Sequence, residues 1–73
     1  MLEKREKVRL LLVKYSLTGV WLTNELNRRG FDVTPQLVNN YISGRRKRSD
    51  LSERVIDESL KILNRYGLLY YGS

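Results

Sequence analysis

The sequence predicts an all-α fold of four helices, closed by a short C-terminal strand or an extended tail. Two observations carry this. Apolar residues recur at the three- and four-residue spacing of a helix face in four successive segments. Between those segments stand the residues that start and stop helices: Ser, Thr, Pro and Gly. The 73 residues are expected to make one small domain, near the lower size limit for folding without covalent staples.

The first helix is expected over residues 2–15. Val8, Leu11, Leu12 and Tyr15 fall on one face, and Leu10 and Val13 widen it. Glu3 and Lys7 form an i, i+4 pair in the favoured order. Ser16, Leu17, Thr18 and Gly19 break the pattern and supply cap-type residues. The second helix starts at Thr18 or Gly19 and runs to Arg29, with Leu22 and Leu26 four apart and Trp21 beside them. Arg28 and Arg29 suit the negative end of its dipole, and Gly30 is a stop signal.

Thr34-Pro35 opens the third helix. A threonine hydroxyl can accept from the free amides of a first turn, and proline there lacks only an N–H that has no partner anyway. This helix is expected to stop at Gly44. After the basic run Arg45-Arg46-Lys47-Arg48, Ser49 or Asp50 caps a fourth helix over residues 51–66. Val55, Ile56, Leu60 and Leu63 are its buried face, and Gly67 is expected to end it. Leu68-Leu69-Tyr70-Tyr71 then forms the strand or tucked extended segment.

Composition excludes several chemistries. The chain has no Cys and no His, which removes disulfides, thiolate zinc sites and histidine-based nucleophilic catalysis. Glu25, Asp32, Asp50, Glu53, Asp57 and Glu58 have neither metal-ligand nor paired acid–base spacing, and the glycines are too scattered for a phosphate loop. No enzyme activity, metal, cofactor or small-molecule ligand is expected. The longest apolar run, residues 10–13, is far short of the ~20 residues of a membrane span, and the N-terminus does not resemble a signal peptide. A cytoplasmic, nucleoid-associated protein with no membrane partner is the expectation.

The charge is uneven. Fourteen Lys and Arg against eight Asp and Glu give a net +6. Residues 1–27 contribute +2 and residues 49–73 contribute −1. The intervening 28–48 contribute +5, from Arg28, Arg29, Arg45, Arg46, Lys47 and Arg48 against Asp32. The excess therefore brackets the third helix and points to a polyanionic partner.

That helix separates into two faces on a wheel of ~100° per residue. Leu37, Tyr41, Val38, Ile42 and Pro35 share one arc. Asn39, Ser43, Gln36 and Asn40 share the other. Solvated faces favour Lys, Glu and Arg, whereas Asn and Ser are weaker helix formers. Gln and Asn can instead pair bidentately with adenine in a major groove, and Ser can pair with several bases. A ten-residue helix, about 15 Å long, fits that groove. Pro35 or Leu37 could touch a thymine methyl. Flanking cations, with Thr34 and Ser43, would lie at phosphates, which position a helix without reading sequence.

The stretch from Val33-Thr34-Pro35-Gln36-Leu37-Val38 through Asn39-Asn40-Tyr41-Ile42-Ser43-Gly44-Arg45-Arg46 resembles the second half of a helix-turn-helix of the phage repressor/Cro (Xre) type. A hydroxyl cap, an aliphatic residue four later, a large apolar one seven later and a glycine ten later all match. Leu22 and Leu26 match the preceding helix. The intervening turn is longer than that family's, and Gly30-Phe31-Asp32-Val33-Thr34 is more similar to the DNA-binding domain of arginine repressors. The resemblance covers roughly residues 8–63. It implies a helix-turn-helix domain with Gln36 and Asn40 on bases, Pro35, Leu37 and Asn39 at bases or phosphates, and Arg45 and Arg46 on the backbone. It also implies a small phage or mobile-element transcriptional regulator of double-stranded DNA.

Three of the five tyrosines, Tyr66, Tyr70 and Tyr71, fall in the last eight residues, with Leu68 and Leu69 between them. Tyr66, Leu69, Tyr70 and Tyr71 are candidate contacts of a homodimer, which half-sites one helical turn apart would require. The alternative is a protein-interaction module, such as an antirepressor or adaptor, that keeps the same shape.

Overall fold

Four helices form in the expected order in the computed structural model, which describes residues 3–45 and 49–71. They are α1 (Lys4–Lys14), α2 (Gly19–Arg28), α3 (Pro35–Ser43) and α4 (Asp50–Tyr71). The described residues contain no strand, and no described helix is long and apolar enough to cross a membrane.

Hydroxyl groups start three of the helices. The Trp21 N–H donates to Thr18 Oγ1 at 3.1 Å and the Leu37 N–H to Thr34 Oγ1 at 3.2 Å. Ser49 and Ser52 cap α4 reciprocally: the Ser52 N–H donates to Ser49 Oγ at 3.1 Å, and the Ser49 N–H to Ser52 Oγ at 2.8 Å. Each bond satisfies an amide that a helix start leaves open.

The first three helices stop in one way. A residue with positive φ follows each, Ser16 (56°), Gly30 (95°) and Gly44 (76°). The next N–H then reaches back to a carbonyl of the last turn: Leu17 to Leu12, Phe31 to Leu26 and Arg45 to Asn40, at 2.8, 3.1 and 3.1 Å. Gly30 and Gly44 take this left-handed conformation without steric cost; Ser16 does not.

The core is assembled from one stripe of each helix: Val8, Leu12 and Tyr15; Leu22 and Leu26; Val38, Tyr41 and Ile42; Val55, Ile56, Ile62 and Leu63. Val33 fills the space beneath the α2–α3 connection, where the Asn27 side chain both donates to its carbonyl and accepts from its N–H. The buried hydroxyls of Thr23 and Ser59 donate to Gly19 and Val55 carbonyls at 2.7 Å. No described buried side-chain polar atom lacks a partner.

Two expectations are corrected. Leu10 and Val13 do not join the buried face of α1; they are 54% and 78% exposed. Gly67 does not end α4, and the tail is neither strand nor extended segment, because the helix continues to Tyr71. The reason is tertiary. α1 and α4 run parallel and in register, from an ion pair of Lys4 with Asp57 at 2.8 Å to the Tyr15 ring beside Gly67. A glycine inside a helix costs about 1 kcal/mol. Here ring contacts offset it. Tyr15 stacks on Tyr71 with centroids 4.8 Å apart, and Tyr66 meets Trp21 at 5.4 Å and Tyr70 at 4.7 Å. Such pairs contribute about 0.5–1.5 kcal/mol each beyond their burial.

Candidate nucleic-acid interface

α3 turns the two faces of its sequence to two environments. Val38, Tyr41 and Ile42 are buried, and Leu37 packs against the core half-buried. Thr34, Pro35, Gln36, Asn39 and Ser43 are exposed, and Asn40 is half-exposed. Of the candidate base-contacting residues, Leu37 is therefore the one most committed to packing. The outward face carries amides, a hydroxyl and no charged side chain, so its hydrogen-bonding groups are open to a partner.

Two of these groups have local engagements. The Ser43 hydroxyl donates to the Asn40 carbonyl at 3.3 Å, which leaves its lone pairs outward. Asn39 lies against the start of α2: a Cβ at Gly19 would stand 2.8 Å from Asn39 Oδ1. The absence of a side chain at Gly19 is what gives Asn39 its room.

Arg45 directly follows this face. Its N–H is bonded to the Asn40 carbonyl, so its backbone is anchored to α3, and its side chain is exposed. The other three residues of the basic run, Arg46, Lys47 and Arg48, lie outside the described residues. At the same end of α3, the Arg5 guanidinium lies over Gly44, where a Cβ would collide with it. A cation beside the last carbonyls suits the helix dipole, and Arg5 is itself paired with Glu3 at 2.9 Å.

Arg28 and Arg29 are placed elsewhere. Arg28 pairs with Glu25 at 3.4 Å and Arg29 with Glu58 at 3.3 Å. Both line a groove floored by Trp21, Tyr66, Leu69 and Tyr70, between α2 and the end of α4. They stand with the candidate dimer residues rather than with Asn39, Asn40 and Ser43. Carboxylates beside them offset part of the +5 that the sequence places around α3.

The amide face instead borders an open groove of about 410 Å³ between α1 and α3. Asn39, Asn40, Ser43 and Arg45 line one side; Arg9 and Val13 of α1 line the other. Neither α1 residue belongs to the set singled out from sequence. Nothing local marks them, since an arginine in a charged first helix reads as ordinary solvation.

The candidate dimer residues also separate. Tyr66 is half-buried in the aromatic cluster, whereas Leu69, Tyr70 and Tyr71 are 66%, 70% and 54% exposed. Leu68, on the same turn, is 64% exposed. The last turn of α4 thus exposes four apolar side chains, although the Tyr70 and Tyr71 rings also contact Tyr66 and Tyr15.

Comparison with protein-family models, curated proteins and solved structures gives no match for this chain.

Proposed function

We propose that this protein is a sequence-specific double-stranded DNA-binding transcriptional regulator that inserts α3 into the major groove. One observation carries the proposal. The exposed face of α3 is built from Gln36, Asn39, Asn40 and Ser43, with Arg45 anchored at its end. Amides and hydroxyls supply the paired donors and acceptors that base edges require, and the arginine supplies attraction to phosphate. Thr34 and Pro35 open the helix and lie exposed at its N-terminus, where residues point most directly into a groove. A protein of this kind works in the cytoplasm, at the nucleoid, by occluding polymerase or a competing activator.

A homodimer is part of the proposal. Contiguous exposed apolar surface normally lies buried against another element, and Leu68, Leu69, Tyr70 and Tyr71 form such a patch at the end of α4. Two copies joined there would present two α3 helices to two half-sites.

In-vitro selection from random duplexes at physiological salt tests the whole. The expected result is an enriched inverted repeat. Salt-sensitive binding to every duplex with no enrichment overturns sequence-specific reading. A second function, a protein-interaction module, draws on the same apolar turn. Retention of one specific polypeptide, with no duplex enriched, decides for it.

A further inference from the structure

We infer that Arg9, on α1, is a phosphate-contacting residue of the DNA interface and grips the backbone across the groove from Arg45. This rests on the proposal that α3 enters the major groove, and it adds a second helix to the docking surface.

Geometry supplies the first reason. The major groove is about 12 Å wide, and a helix with its side chains is about 10–12 Å across. α3 alone would fill it. Packed helices lie roughly 8–10 Å apart, axis to axis. A helix packed beside α3 along the margin of its exposed face is therefore carried to the rim of the DNA groove, where the phosphates are. α1 packs on α3, and its Arg9 and Val13 share a groove with Asn39, Asn40, Ser43 and Arg45.

Charge supplies the second. Lys4, Arg5, Arg28 and Arg29 each have a carboxylate partner, in Asp57, Glu3, Glu25 and Glu58. Several described cations, Arg9 and Arg45 among them, make no ion pair with any described residue, and these two are the ones that line the groove along the amide face. Among the described residues, no carboxylate lines the groove they share. Glu6 stands one turn before Arg9 and lines the neighbouring groove with it, but the two do not pair. Two free guanidiniums facing one acid-free cleft suit a phosphodiester, since the guanidinium fork matches phosphate oxygens.

Rigidity supplies the third. Arg9 follows Val8, which is fully buried, and precedes Leu12, which is 9% exposed. Its backbone is held by the core, and Arg45 is held by its bond to Asn40. Both cations therefore start from fixed positions, which reduces the ordering cost of the contact. Val13, one turn further along α1, places an apolar group at the same lip.

The test is the salt dependence of duplex binding between 50 and 200 mM, measured for wild type, Arg9→Gln, Arg9→Lys and Lys61→Gln. Lys61 is exposed on α4, outside the groove, so its loss controls for net charge. One lost phosphate contact should flatten the slope of log K against log salt by about 0.9. That flattening is expected for Arg9→Gln, on the selected site and on random duplex alike. Arg9→Lys should keep the wild-type slope, and Lys61→Gln should leave it unchanged. If Gln36→Ala loses discrimination of the selected site, as reading by α3 requires, but Arg9→Gln has the wild-type slope, α1 lies outside the interface and the inference fails alone. If the wild type binds no duplex, the proposal for α3 fails with it. An Arg9 effect confined to structured RNA also overturns the assignment.

Discussion

The phenol of Tyr15 rests on the backbone of Gly67, so closely that a Cβ at position 67 would collide with its hydroxyl. This contact joins the end of α1 to α4 and lets the helix run four residues beyond a stop signal. Alanine at 67 has a propensity gain of about 1 kcal/mol set against an overpacking cost of about 1–3 kcal/mol. Urea melts should show Gly67→Ala destabilised. In a Tyr15→Leu background the same change should become stabilising. The same sign in both backgrounds would exclude the Tyr15 contact as the cause.

Ser16 closes α1 with φ 56° and is the one described non-glycine residue with positive φ. That conformation costs an L-residue about 1–2 kcal/mol, and glycine returns about 0.4–1 kcal/mol of this through the unfolded chain. Ser16→Gly should therefore raise stability by roughly 0.5–1 kcal/mol, read as a higher urea midpoint. A lower midpoint contradicts the account.

Gly19 separates stability from readout. The three atoms nearest a methyl there all belong to the end of the Asn39 side chain, the closest being Oδ1 at 2.8 Å, and that side chain can swing away. Gly19→Ala should change stability by no more than about 0.5 kcal/mol. Repeated selection should nonetheless yield an altered preference at the bases nearest Asn39. An identical selected site would remove Asn39 from the reading face.

Gln36→Ala and Asn40→Ala should each cost about 1–3 kcal/mol on the selected duplex and little on random DNA. Arg45→Gln should weaken both duplexes to a similar degree, because phosphates are the same in each. Titrations against the two duplexes distinguish the patterns, and uniform losses for Gln36 and Asn40 would show that they do not read bases.

The end of α4 predicts association. Sedimentation velocity on the wild type should reveal a concentration-dependent dimer. Leu69→Glu, at a site 66% exposed, should leave a folded monomer. A wild type that stays monomeric as its concentration rises would remove the dimer from the proposal.

Much of the local architecture was legible in the sequence, because caps and stops act within a few residues. Thr34-Pro35 marks the start of α3 and Gly44 its end, and Ser49 is one of two candidate caps for α4; the hydrogen bonds at all three follow from backbone chemistry. The division of α3 into Val38, Tyr41 and Ile42 against Gln36, Asn39 and Ser43 likewise needs only the helical period. Tertiary structure decided the rest. Gly67 reads locally as a stop, and only the arrival of Tyr15 from residues far earlier in the chain makes it the interior of a helix. Charge density along the chain places Arg28 and Arg29 beside α3, but Arg28 pairs with Glu25 on its own helix, folding brings Glu58 to Arg29, and Arg9 is left in the groove along the amide face with no ion-pair partner among the described residues. Period and capping are properties of one segment. Which cation meets which carboxylate, and which helix lies beside the reading face, depend on how the segments pack.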